Sequence, residues 1–533
     1  MKWQFFQCIW DILAHAAKYY PKKIAVIDDG TSFTYQVIKN RVLALSCFLK
    51  QQGIKPGDRI SILHINGIEY IDVYFATSAL GAILVPLNYR LNPGQLATLL
   101  HHHQSQVIIA SEAFYPLLQK TLPLLEHPTL KLILYIGKVK PNISSFPIIS
   151  YEDVIHKTAF AAYKPFRNKA KDIAHIYYTS GTTGQPKGVM LSHHNVCQHA
   201  MGVINELKIN SKDRWGHIAP MFHLADAWAV FAITMVGATH IMQGIFKPEN
   251  TLALIANARI TITNLVPTML NLMLKSSVLN QFDYSSLRLV MSGGAPIAPA
   301  TVKAIISVFR CDYIQTYGLT ETSPYLTLSI LPKKLKRLPY EKRLHWLCKT
   351  GRPFKLIQLK VVDKAGQEVS PDAKSVGEVI VKGPTVTCGY WHDPEATRLA
   401  FDEQGYFHTG DLAVVDQEGF INIVDRLKDV IISGGENVYT IEVASCLYEH
   451  PSVLEAAVFG VVDSIWGEIV TAAVVLKPGY QASEQELIDF CKSKLAHYQA
   501  PKRVYFLSEL PKSGSGKIVT RELQARFADK ATS

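Results

Sequence analysis

Ile173-Ala174-His175-Ile176-Tyr177-Tyr178-Thr179-Ser180-Gly181-Thr182-Thr183-Gly184-Gln185-Pro186-Lys187-Gly188 is the stretch on which the fold turns. Its first six residues are apolar, β-branched or aromatic and read as a strand running into a turn. Gly181, Gly184 and Gly188 let backbone approach an anion closely. Thr179, Ser180, Thr182 and Thr183 supply hydroxyl donors, and Lys187 adds a positive charge. Ser192 then serves as an N-cap for a helix-period set, Val196, Ala200, Val203, Ile204 and Leu207. Strand, glycine turn and helix in that order predict an α/β architecture with a nucleotide site at a strand end. The loop is not a Walker A element, which needs GxxxxGK[ST]. Ser513-Gly514-Ser515-Gly516-Lys517-Ile518 fails the same test, so a P-loop kinase or ATPase is disfavoured.

Outward from that loop, helical and strand patterns alternate over about the first four hundred residues. Past about residue 428 the texture changes to a smaller α+β unit. Strands are expected at Ala456–Val462 and Val470–Leu476. Ser483-Glu484-Gln485-Glu486 is a capping box opening a helix with Leu487, Phe490, Cys491 and Leu495 on one face. A strand at Val504–Leu507 and the Ser513–Gly516 loop complete the unit. Between Asp226 and Lys247 no charged residue occurs, which is spanning length for a membrane. Gly237, Thr239, His240 and Gln243 interrupt it, however, and Gly237 reads as a turn between a buried helix and a strand. The His101-His102-His103 run has no spaced partner and reads as surface.

The chain of 533 residues is long enough for two or more domains. With 48% hydrophobic and 19% charged residues it buries large cores, which excludes a mainly disordered protein. Eight cysteines form no CxxC pair, so neither a zinc ribbon nor a disulfide framework is indicated. Met1–Gln7 carries no long apolar run with a small-residue cleavage site, and the expectation is a cytoplasmic protein. The net charge of +11 is uneven. Residues 331–350 hold Lys333, Lys334, Lys336, Arg337, Lys342, Arg343 and Lys349 against Glu341 alone, and account for +6 of it. A solvated loop is the first reading of that tract, with attraction of a ligand's phosphates or peripheral membrane contact second.

Further motifs follow the glycine loop in order. They are Gly293-Gly294-Ala295-Pro296, Tyr317-Gly318-Leu319-Thr320-Glu321-Thr322 and Tyr406-Phe407-His408-Thr409-Gly410-Asp411. Asp425-Arg426-Leu427-Lys428-Asp429, Ser433-Gly434-Gly435-Glu436-Asn437 and Gly516-Lys517 close the set. Over nearly the whole chain this series resembles the adenylate-forming enzymes, which include acyl-CoA synthetases, luciferases and nonribosomal adenylation domains.

The resemblance implies a role for each motif. Thr179–Gly184 and Lys187 would bind ATP phosphates, and Gly294, Ala295 and Pro296 the adenine edge. Tyr317 would stack on adenine, Asp411 would accept from the ribose hydroxyls, and Arg426 would also reach ribose or phosphate. Thr320 would bind the α-phosphate, and Glu321 would hold Mg²⁺, a hard oxygen-seeking ion. Lys517 would reach across from the second domain to carboxylate and ATP oxygens. Lys428 would be the hinge about which that domain turns, withdrawing Lys517 and presenting the Gly434 loop to a thiol. The implied organisation is an adenylation domain over 1–427 and a cap domain over 428–533.

His223 matches an aromatic-flanked histidine in the wall of the acyl pocket, where amino-acid-activating relatives usually carry aspartate. An amino-acid substrate is therefore disfavoured, with Asp226 the reservation. The apolar 222–236 and 264–270 stretches fit an aliphatic tail. One departure is that Glu442 precedes Val443 and Ala444 where the family often has a second acidic residue. The reading is an ATP-, Mg²⁺- and CoA-dependent ligase of a medium- or long-chain fatty acid. An aryl-CoA ligase of the 4-coumarate type, or an enzyme loading a carrier protein, is the alternative. A basic nucleic-acid or membrane binder is the contrasting class. It would make no demand for Thr320, Glu321, Asp411 and Lys517 together, and no nucleic-acid partner is expected.

Overall fold

The computed structural model describes residues 6–126, 128–143, 145–179, 186–295, 297–512 and 518–528. Two large, mostly parallel sheets form its body. The first has nine strands, ordered Arg352–Pro353, Tyr325–Leu328, Asp312–Gly318, Leu289–Gly293, Ile262–Asn264, Arg214–His217, Thr239–Met242, Ile24–Asp28 and Thr31–Thr34. The six strands from Asp312–Gly318 to Ile24–Asp28 run parallel, and antiparallel strands cover both edges. The second sheet has seven strands and is parallel from Ile148–Ser150 through Ile173–Thr179. A four-stranded antiparallel sheet follows, Gln358–Val362, Gly377–Lys382, Phe407–Val415 and Ile421–Arg426. The α/β class read from the sequence is the class observed.

The predicted strand is Ile173–Thr179, and the helix His193–Leu207 starts where expected. Ser192 accepts from the Asn195 N–H, and the Asn195 side chain accepts in return from the Ser192 N–H. One step differs. The glycine loop does not run straight into the helix. A strand intervenes: Lys187–Ser192 pairs antiparallel with Ile173–Thr179, the two arms of a hairpin, in the register Thr179↔Lys187. Gly188-Val189-Met190-Leu191 alternates weakly, and the glycine hid its strand character; Lys187 consequently sits on a strand.

The uncharged stretch resolves as read. Leu224–Met235 is a buried helix, Gly237 makes the turn with φ +65°, and Thr239–Met242 is a strand inside the nine-stranded sheet. No helix among the described residues is long and apolar enough to cross a membrane. All eight cysteines are free thiols.

Two expectations fail. The histidine run is not surface: His103 is fully buried against the Ser61 hydroxyl (2.9 Å), and His102 meets the Tyr178 hydroxyl (2.7 Å). Only His101 stays exposed, because a helix turns three successive residues to three different faces. The basic tract is not a loop. It forms two short helices, Lys333–Lys336 and Tyr340–Leu347, anchored by buried Leu335 and Leu344. Lys334 pairs with Glu418 (2.6 Å) and Lys349 with Asp416 (2.5 Å).

Beyond Arg426 a five-stranded sheet contains Ile431–Ser433, Glu436–Val438, Val453–Asp463, Gly467–Leu476 and Arg503–Phe506. The capping box is present, with Ser483 accepting from the Glu486 N–H, and the helix runs Glu484–Lys494. Its two apolar clusters, on either side of the sheet, draw only on residues from Ile431 onward.

Candidate active site

Parallel strands set side by side end at the same edge, and loops at that edge converge. Leu289–Gly293 and Asp312–Gly318 are such neighbours, paired through Gly293↔Thr316. Gly294, at φ +82°, turns the chain just beyond the first, and Gln315 Nε2 on the second donates to the Ala295 carbonyl (3.4 Å). A Cβ at Gly293 would lie 2.7 Å from the Thr316 carbonyl oxygen, so the approach demands glycine. Pro296 lies outside the described residues.

The four-stranded sheet delivers the next groups. Asp411 and Arg426 are register partners on adjacent strands. Arg426 Nε forms an ion pair with Asp411 Oδ1 (3.1 Å), and the Tyr317 hydroxyl donates to Asp411 Oδ2 (2.6 Å). Burial and the adjoining Asp411 hold the Tyr317 phenol well above its usual range, so it stays a donor. Asp411 itself is 4% exposed. Each of its oxygens keeps a further lone pair, the arrangement a diol reader needs. Tyr317 is thus held by its hydroxyl as well as offering a ring face.

Thr320–Thr322 form a single 3₁₀ turn directly after Gly318. Glu321 is buried, which raises its carboxyl above the ordinary range. The Tyr390 hydroxyl donates to Glu321 Oε1 (3.1 Å) and opposes that rise. Lys187 Nζ lies 4.9 Å from the centre of the Tyr390 ring, a cation–π contact. Lys187, Tyr390 and Glu321 are therefore one connected group. Sequence reasoning missed Tyr390. Its segment straps the hairpin to the 3₁₀ turn: the Thr387 N–H donates to the Glu321 carbonyl (2.7 Å), the Thr387 hydroxyl to the Met190 carbonyl (2.6 Å) and the Trp391 N–H to the Gly188 carbonyl (2.7 Å). Cys388-Gly389-Tyr390-Trp391 offers only a glycine before two aromatics, a weak local signal.

A buried carboxylate with one oxygen left over, beside a lysine and a ribose-type acceptor, fits a divalent cation carried with phosphates. Gly318 makes the geometry possible, since a Cβ there would sit 1.8 Å from the Pro324 carbonyl oxygen and 2.9 Å from the Leu326 nitrogen. Both are backbone atoms that cannot yield. Gly318→Ala is accordingly expected to displace Thr320 and Glu321 and lower the rate of acyl-adenylate formation by about 10²-fold, read by product mass. A rate within twofold of wild type would refute that geometry.

His223 stands half-buried at the foot of the Leu224–Met235 helix, next to Phe222. Asn264 Nδ2 donates to the Ala225 carbonyl (2.7 Å), so the two apolar stretches do meet. Asp226 is fully buried and each of its oxygens has a partner, one accepting from Trp215 Nε1 (3.2 Å) and the other lying 2.5 Å from His217 Nδ1. It presents no carboxylate to a substrate ammonium. Gly434, at φ +60°, lies in the turn before Glu436–Val438, its N–H donating to the Trp466 carbonyl (2.8 Å). Lys428 is exposed in the link between Ile421–Arg426 and Ile431–Ser433. Ser180, Gly181, Thr182, Thr183, Gly184 and Lys517 fall outside the described residues. Thr179 ends its strand at the mouth of the hairpin.

Residues 13–391 match the model of the AMP-binding enzyme family, and residues 442–517 that of the AMP-binding enzyme C-terminal domain. The chain belongs to this family of adenylate-forming enzymes. It is 34% identical to a feruloyl-CoA synthase of Amycolatopsis sp, over 96% of this chain and 97% of that one. It is 32% identical to a long-chain-fatty-acid–CoA ligase of Thermus thermophilus, over 97% and 95%. Among solved structures it resembles an anthranilate CoA ligase in complex with anthranoyl-AMP, with a TM-score of 0.88, 27% identity and 99% of both chains covered. The protein is an AMP-forming acid–thiol ligase, and ATP, Mg²⁺ and CoA are the partners of its chemistry.

Proposed function

We propose that the protein converts a medium- or long-chain fatty acid to its CoA thioester through an acyl-adenylate. A free carboxylate is a poor acyl donor because oxide is a bad leaving group. Joining it to the α-phosphate of ATP, with release of pyrophosphate, supplies AMP as a good one, which CoA then displaces. Acid and ATP are both anions, so the work is charge neutralisation and alignment, with no side-chain nucleophile. Thr179–Gly184, Lys187 and Thr320 hold the phosphates in this reading, and Gly294, Ala295, Pro296, Tyr317, Asp411 and Arg426 the nucleoside. Mg²⁺, when bound at Glu321, neutralises phosphate oxygens. The adenylating body is residues 1–427 and the cap 428–533. Lys428 is the hinge, Lys517 the adenylation lysine, and the Gly434 loop faces the thiol.

The observation that carries the acid class is the engagement of Asp226. With that carboxylate bound to Trp215 and His217, the one charged side chain of the 222–236 stretch is occupied, and the remaining, mostly apolar stretch suits an aliphatic tail. Exposed Lys333, Lys336, Arg337 and Lys342 support peripheral contact of a cytoplasmic enzyme with an anionic surface.

The test is incubation with ATP, Mg²⁺ and a panel of aliphatic, aryl and amino acids, with and without CoA, and identification of products by mass. Acyl-AMP and acyl-CoA from C8–C18 acids are expected, with at least tenfold less product from amino acids. Preference for cinnamic-type acids, the direction in which the feruloyl-CoA synthase likeness points, would replace the fatty-acid reading. No adenylate from any acid would end it.

A further inference from the structure

Asp425 stands one residue before Arg426, on the strand Ile421–Arg426, and is 2% exposed. Its Oδ1 accepts from the Arg426 N–H (2.7 Å) and the Thr440 hydroxyl (3.0 Å), and its Oδ2 accepts from the Thr440 N–H. Thr440 is the first residue of the helix Thr440–Tyr448. Its N-cap residue, Tyr439, gives no side-chain cap. The opening N–H groups of a helix have no partner within it and carry the positive end of its dipole. Asp425 meets that need from the far side of Lys428. The helix is otherwise committed to the small unit, where Val443, Cys446 and Leu447 pack into its core.

We propose that Asp425 and Thr440 form a latch that holds the small unit in the arrangement seen here, and that this latch opens each time the unit turns about Lys428 between half-reactions. The proposal rests on the two-step ligase reading and its hinge. A rotation about Lys428 carries Thr440 away while Asp425 stays on its strand, so both donors leave the carboxylate together. The same strand end carries Arg426, whose Nε holds Asp411. The latch therefore ties the orientation of the small unit to the residue that would read the ribose. Asp425 and Thr440 act as positioning residues through Arg426 and the helix, and touch no reactant.

Thr440→Pro removes both donors at once while suiting the helix, because proline is favoured at the first helical position and Tyr439 is already extended (φ −88°, ψ 118°). Hydrogen bonds to a charged acceptor are among the stronger ones, and losing two should shift the equilibrium between arrangements about tenfold or more. Acyl-adenylate formation and thioester formation from supplied acyl-AMP are measured separately, together with the rate of trypsin cleavage after Arg426 and Lys428. The expected result is a ratio of the two half-reaction rates at least fivefold from wild type and cleavage at least fivefold faster. Thr440→Ser, which keeps both donors, should restore wild-type values. Half-reactions changed by the same factor, with wild-type cleavage, would overturn the latch. Should Thr440→Pro not fold, Thr440→Val, lacking only the hydroxyl, must move the same ratio at least twofold or the proposal falls. Absence of acyl-AMP from the wild type would defeat the ligase reading, while the cleavage comparison would still judge the latch.

Discussion

Lys517→Ala is expected to lower acyl-adenylate formation by about two to three orders of magnitude and to leave thioester formation from supplied acyl-AMP within a few-fold of wild type. The reason lies in the charges each step brings together. In the first, a carboxylate must approach the α-phosphate of a polyanion, and a side-chain cation between them offsets a repulsion that water otherwise screens. In the second, the acyl-adenylate carries a single phosphate charge and AMP departs. Lys187 and Arg426 are both engaged, the one over the Tyr390 ring and the other on Asp411. A lysine arriving from the second unit would supply the further cation in this reading. Lys517→Arg, which keeps the charge, should recover part of the first step. Equal loss of both steps in Lys517→Ala would contradict the alternation of the two units about Lys428.

The parts of this architecture that were legible in the sequence are those written in local chemistry. Ile173–Thr179, the Ser192 cap, the Gly237 turn and the Ser483 capping box each carry their signal within a few residues, and each appears where expected. The ordered motifs located Tyr317, Glu321, Asp411 and Arg426, which the fold then assembles around the Asp411 and Glu321 carboxylates. What escaped depends on partners distant in sequence. His103 is buried because Ser61, forty-two residues earlier, receives its ring. The basic tract is helical because Leu335 and Leu344 find a core and Glu418 and Asp416 take two of its lysines. Tyr390 acquires its place from Glu321, sixty-nine residues away, and from Lys187. No window of local sequence contains such pairs.

Asp226→Ala is expected to destabilise the body by about 3–5 kcal/mol, seen as a lower urea midpoint for the transition that exposes Trp215 and Trp228, because it strips one partner from a wholly buried charged network. Asp226 accepts from Trp215 Nε1 on one oxygen and faces His217 Nδ1 on the other. His217 Nε2 continues to His240 Nδ1 (2.9 Å), and His240 Nε2 to the Thr234 hydroxyl (3.0 Å). All five side chains are 0–1% exposed. Burial and the neighbouring His217 hold the His240 imidazole well below its usual range, so that ring is neutral. Alanine at 226 leaves the Trp215 N–H and one His217 nitrogen without partners where no water reaches, and opens a cavity besides.

Asp226→Asn separates charge from connectivity. An asparagine carbonyl can accept from Trp215 while its amide donates to His217 Nδ1. His217 Nε2–H then donates to His240 Nδ1, and His240 Nε2–H to Thr234. Every group in that neutral chain is satisfied, so the cost should stay within about 1 kcal/mol. The two variants also differ in what they do to the substrate. His217 and Asp226 bracket the segment that carries Phe222 and His223, so loosening it in Asp226→Ala should raise the KM for the acid more than that for ATP. Asp226→Asn should leave both near wild type. Equal destabilisation by the two substitutions would show that the charge of Asp226, and not the continuity of the chain from Trp215 to Thr234, holds this wall in place.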